Sequence, residues 1–146
     1  MVKSRKLKTD KNFKPFPTKE GDEIYPNGIF NFNITRIQEY IETGKLYVEE
    51  ERINIKEWFK THIRRTVNED HLQSVDVKKP VIQAEIRPGM FEIIDGNHRM
   101  EKACREEVEF VPSYKIKGEQ LLLFFTDNRG YEAFIPYWNS KLADDY

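Results

Sequence analysis

A single cysteine stands among the 146 residues, so an internal disulfide and a Cys-rich zinc site are both excluded. Net charge is nearly absent as well. The 24 Lys and Arg against 25 Asp and Glu leave −1, and the chain as a whole offers nucleic acid no attraction. Its longest apolar run, Leu121–Phe125, is far short of the roughly 20 residues that span a bilayer. The first residues, MVKSRKLKTDKNFKPFP, begin basic with no apolar core behind them, so no secretory signal is read. Glycine-rich phosphate loops of the Walker or GxGxxG kind are missing too. These absences predict a soluble, cytoplasmic protein without a membrane partner. Aromatic side chains, by contrast, are plentiful: ten Phe, seven Tyr and two Trp argue for a folded chain with a real core.

Residues 1–18 read as a basic, flexible tail carrying Lys3, Arg5, Lys6, Lys8, Lys11 and Lys14, and residues 19–146 as one domain. The tail is either a solvated segment or an arm for the phosphate backbone of DNA. Asn33–Gly44 has isoleucines at helical spacing between a capping Asn and a terminating Gly. LYVEEERINI is strand-like, EWFKTHI is ambiguous, and Asn68 or Asp70 caps a short helix. PVIQAEI and MFEIID flank the turn Arg87-Pro88-Gly89 and predict a hairpin. NHRMEKACREE then predicts a helix, with Met100, Ala103, Cys104 and Val108 on an apolar face and Glu101, Lys102, Arg105 and Glu106 on a charged one. A strand FVPSYKI follows, where Pro112 suits an edge or a strand end. GEQLLLFFTDN predicts a helix ending near Arg129-Gly130, and Pro136 breaks the aromatic tail that packs back behind it. The expected architecture is α+β, a small mixed sheet surrounded by helices, with the motif core at residues 80–116.

The junction FEIIDGNHRMEKA carries the chemistry. A strand enters a tight turn and a helix starts at once, so Gly96 lets the backbone turn sharply and lets a ligand approach. The first N–H groups of the helix point outward unpaired and, with the helix dipole, favour an anion. Arg99 adds a planar fork for phosphate oxygens, and His98 donates a hydrogen bond or moves a proton. Asp95 orients His98, holds a metal ion or acts as a base. Ordinary turn chemistry, with Asn97 as a cap, accounts for the same residue types. An arginine at a helix N-terminus, however, calls for an anionic partner.

These residues, DGNHRMEKA after a strand and before another, resemble the signature of the ParB/sulfiredoxin superfamily. The resemblance spans roughly Val48–Ile116 and is specific over Phe91–Ala103. It implies the ParB-like α+β fold, with Gly96, Asn97, His98 and Arg99 in the phosphate-binding positions and Asp95 and His98 as catalytic candidates. It also implies a nucleoside di- or triphosphate such as ATP or CTP, carried with magnesium, as the ligand. The activity implied is nucleotide hydrolysis or phosphoryl transfer. Asn97 stands where sulfiredoxins carry their catalytic cysteine, so sulfinic-acid reduction is not expected. Neither a second ENxxR motif nor a helix-turn-helix segment is found, so chromosome partitioning in the usual sense is not expected either. Two other readings use the same turn: a DNA-associated nuclease or binding module, and a degenerate, non-catalytic domain that binds a partner.

Elsewhere the residues are read as structural. His62 and His71 lack metal-ligand spacing, and Glu49–Glu51 read as an exposed charge run rather than as the upstream carboxylate base that the resemblance to the superfamily's kinases implies. Arg64-Arg65-Thr66 reads as a solvated loop, with added charge over the phosphate site as the alternative. Trp58, Phe59, Tyr137 and Trp138 belong to the core rather than to a base-stacking site.

Overall fold

The structure, a computed structural model, describes residues 4–144 and is α+β. Strands β1 (Ile24–Tyr25) and β2 (Phe32–Asn33) pair antiparallel. A four-stranded mixed sheet has the order β3-β6-β4-β5, from β3 (Glu49–Asn54), β4 (Val81–Arg87), β5 (Met90–Asp95) and β6 (Phe110–Ile116). The helices are α1 (Ile34–Glu42), α2 (Ile55–Thr61), α3 (Glu69–Leu72), α4 (Asn97–Arg105), α5 (Gly118–Leu121) and α6 (Asn128–Asp144), with a 3-10 turn at Leu122–Phe124. Among the described residues no helix is long and apolar enough to cross a membrane.

The chain divides into two compact units. The first takes the chain up to Tyr47, the segment Ala84–Glu92, and everything from Lys117 onward. The second takes Val48–Gln83 and Ile93–Ile116. Strands β4 and β5 therefore each pass from one unit to the other, and the tip of their hairpin belongs to the first.

In the first unit, the Asn33 side chain accepts from the Arg36 N–H at 3.1 Å and starts α1, which buries Ile34 and Ile37. Phe32, Phe124, Phe125, Phe134 and Trp138 complete an aromatic core. Two expectations change here. GEQLLLFFTDN is not one helix, because α5 stops after four residues and runs into the 3-10 turn. The segment expected to be broken by Pro136 is instead the long helix α6, with Pro136 inside it. The reason is spacing. Tyr131, Phe134, Ile135 and Trp138 fall at i, i+3, i+4 and i+7, and all four are buried. Burying four such side chains at about 1.5–3 kcal/mol each outweighs the roughly 3 kcal/mol that an interior proline costs.

The basic segment that composition describes as a tail also differs from expectation. Leu7 is buried, its N–H donates to Asn139 Oδ1 at 2.8 Å, and Asn139 Nδ2 returns a bond to Leu7 O at 2.9 Å. Trp138 Nε1 donates to Arg5 O at 3.0 Å, and Phe13 stacks on Tyr131 with ring centroids 3.9 Å apart. The Arg5 guanidinium lies 5.1 Å from the Trp138 ring centroid and pairs with Glu85 and Glu119 at 2.6 Å each. Burial alone would raise the Glu85 carboxyl, but Arg5 and the N–H groups of Gly89 and Gly118 together hold it below the usual carboxylate range. One leucine among lysines, and one arginine that meets buried Glu85 and exposed Glu119, are enough to anchor the segment. Lys6, Lys8, Lys11 and Lys14 remain exposed.

In the second unit β3 and β6 run antiparallel, from Glu49 opposite Lys115 to Asn54 opposite Phe110. Ile53, Ile55, Val81, Ile93, Met100, Ala103 and Val111 form its core, and Cys104 packs against it as a partly buried free thiol. Strand β6 is interior, not an edge, and Pro112 sits opposite Arg52 within it. Next to the proline, the Ser113 hydroxyl donates to Glu51 O at 2.7 Å and accepts from buried Gln83 Nε2 at 2.9 Å. These side-chain bonds reinforce the strand where its ladder lacks one donor.

Candidate phosphate site

The turn between β5 and α4 is as short as the sequence predicts. Gly96 is the N-cap of α4, with φ 105° and ψ 23°, a conformation that side chains rarely adopt. Space is short as well. A Cβ at this position would lie 2.5 Å from Val81 Cγ1 and 2.8 Å from Arg99 Nη2. Glycine is thus required twice, by dihedral and by the guanidinium folded under it.

Because the cap is glycine, no side chain accepts from the first turn of α4, and that turn holds no acidic residue. Asn97 is the first helical residue rather than the cap, and its Nδ2 reaches only Ile93 O at 3.4 Å. Gly96 O accepts the first intrahelical bond, from Met100 N–H at 3.0 Å. Arg99 reaches back to Asp95, Nη2 to Oδ2 at 3.2 Å, with both side chains 14% exposed. One arm of the expected phosphate fork is therefore held by a carboxylate. Its Nε is buried and has no hydrogen-bond partner.

His98 is placed by a residue that the sequence did not connect with it. The Asn68 main-chain N–H donates to His98 Nε2 at 3.1 Å, and Asn68 also caps α3 through its side chain. A main-chain N–H only donates, so Nε2 accepts and the neutral ring carries its proton on Nδ1. The His71 ring stands edge-on to His98 at 5.0 Å between centroids. His71 thus belongs beside the candidate site and not among the unrelated surface residues. His62 keeps its packing role, stacked on Trp58 at 3.6 Å.

A second difference concerns Glu101, expected on the charged face of α4. It is buried, 5% exposed, and accepts from Arg64 and from Arg105, whose guanidinium also meets Glu69. Arg64 is therefore tied to α4 rather than free over the turn. Arg64 first, and Arg105 after it, hold the Glu101 carboxyl below its ordinary value near 4.5 against the opposing effect of burial. A folded value below the unfolded one means the stabilisation is complete above about pH 4.5 and is lost as pH falls through the folded value. Glu101→Gln is expected to lower stability by about 1–2 kcal/mol at pH 6. In urea titrations from pH 6 to pH 3 the gap between wild type and variant should close on the acid side. A gap that stays constant with pH would count against this role for the carboxylate.

Among the described residues, no group of three His, Cys, Asp or Glu side chains is placed to hold a metal ion. Nor do comparisons supply a relative: no family model matches the chain, and neither a curated protein nor a solved structure is significantly similar to it.

Proposed function

We propose that the Asp95–Arg99 turn binds a phosphate group, and that its ligand is a nucleoside di- or triphosphate. The observation that carries this reading is the buried, unpartnered Nε of Arg99 at a helix start with no capping side chain. A buried charged donor left unpaired costs about 1–3 kcal/mol, and an incoming phosphate oxygen would satisfy it. The main-chain N–H groups of Asn97 and His98 would share the anion, and His98 Nδ1–H would add a neutral donor. The stretch that resembles the ParB/sulfiredoxin superfamily, Val48–Ile116, takes in the whole second unit together with Ala84–Glu92 of the first. Magnesium would arrive on the phosphate oxygens of the nucleotide itself. Binding is better supported than hydrolysis or phosphoryl transfer, because both catalytic candidates are already engaged. Asp95 pairs with Arg99, and His98 accepts from Asn68.

Calorimetry with ATP, CTP and ADP, each with magnesium, tests the reading against Arg99→Lys. That variant keeps a cation opposite Asp95 but removes Nε. Affinity is expected to fall by roughly 10–100-fold, the equivalent of one charge-assisted hydrogen bond. Equal binding by wild type and variant, or binding by neither, would overturn it. The exposed Lys6, Lys8, Lys11 and Lys14 favour DNA backbone phosphate as the second reading. Replacing all four with serine leaves Arg5 and Leu7 in place. It should flatten the salt dependence of a duplex gel shift if this reading holds.

A further inference from the structure

We infer that His98 is a proton-sensitive latch that holds the N-terminus of α3 against the N-terminus of α4. The inference goes beyond the phosphate reading and does not depend on it. It stands on two contacts of one ring. The Asn68 N–H donates to Nε2 at 3.1 Å, and the His71 ring packs edge-on at 5.0 Å.

Protonation undoes the first of these contacts. The Asn68 bond needs a lone pair on Nε2, and an imidazolium carries protons on both nitrogens, so N–H would face N–H. Asn68 is moreover the cap of α3, its Oδ1 accepting from Asp70 N–H at 3.0 Å and His71 N–H at 3.4 Å. A helix of four residues has little stability of its own once its cap is displaced. The charged and titratable groups on the elements that meet here are named in turn. On α3 they are Glu69, Asp70 and His71; at the end of β5, Asp95. On α4 they are Arg99, Glu101, Lys102, Cys104 and Arg105, and Glu101 accepts from Arg64 and Arg105. Arg99 is paired with Asp95, and Arg105 with Glu69. Lys102 Nζ donates to Gln73 O and Val75 O at 3.0 and 2.9 Å. These last bonds, with buried Leu72, keep the C-terminal end of α3 docked while its first turn is released.

The experiment is hydrogen exchange of the amides of residues 68–72 in the ligand-free protein, read as protection factors between pH 7.5 and pH 5, for wild type and His98→Gln. In wild type, opening of this segment should rise by roughly three- to tenfold on acidification, as the loss of one hydrogen bond implies. In His98→Gln the protection should not respond to pH. Protection in wild type that does not change, or an equal response in both proteins, would overturn the latch. Nitrogen-15 shifts of the wild-type rings decide independently of any variant. At pH 7.5 the His98 ring should show a proton on Nδ1 and none on Nε2, and a protonated Nε2 would overturn it.

Discussion

Gly96→Ala is expected to lower stability by about 2–5 kcal/mol, with the loss confined to the turn and not spread across the fold. Two effects add. Left-handed backbone at φ 105° costs a residue with a Cβ about 1–2 kcal/mol. The new methyl would also overlap Val81 Cγ1 at 2.5 Å and the Arg99 guanidinium at 2.8–2.9 Å, an overpacking that costs about 1–3 kcal/mol. Val81 belongs to a core strand and cannot retreat, so the guanidinium must move. Its ion pair with Asp95, at 3.2 Å, is then stretched or broken. Urea unfolding measures the loss, and the Asp95–Arg99 geometry can be followed by the guanidinium proton resonances. A destabilisation under 1 kcal/mol would mean that the turn relaxes into another conformation and that glycine is dispensable there.

Trp138→Ala should cost about 3–5 kcal/mol and release the N-terminal segment along with the side chain. Trp138 is fully buried. Its ring occupies the place where a Cβ on Gly118 would stand, and its N–H donates to Arg5 O at 3.0 Å. The Arg5 guanidinium lies over the same ring at 5.1 Å. Removing the indole therefore deletes core volume, a hydrogen bond and a cation–π contact together. Thermal unfolding reads the first loss. Limited trypsin digestion at Lys6 and Lys8 reads the others and should be markedly faster in the variant than in Trp138→Phe, which keeps most of the ring. Equal digestion of all three proteins would show that Leu7 and Asn139 suffice to hold the segment.

What the sequence revealed and what it hid follow from distance along the chain. The hairpin, the strand-to-helix turn and α4 rest on neighbouring residues: an Arg-Pro-Gly turn, an Asp-Gly end, an apolar face at helical spacing. Local chemistry fixes such elements, and they are present. α6 was hidden because Pro136 is a strong local signal, while the burial that outweighs it depends on partners elsewhere in the first unit. The arrangement around the candidate site was hidden for a similar reason. Asn68 lies 30 positions from His98, and Arg64 lies 37 from Glu101. Nothing in the pattern of α4 distinguishes buried Glu101 from Glu106, its exposed neighbour on the same expected face. Only the arrival of Arg64 does.

The hydrogen bonds between Leu7 and Asn139 join residues 132 positions apart. Closing a loop of that length costs about 4 kcal/mol in chain entropy, more than two hydrogen bonds return without the buried leucine and the indole beside them. The order of synthesis follows. Leu7 leaves the ribosome long before Asn139 exists, by roughly ten seconds at about 5–20 residues per second. During that interval the growing chain carries the solvated basic segment that its composition describes. Helix α6 then converts that segment into part of a core.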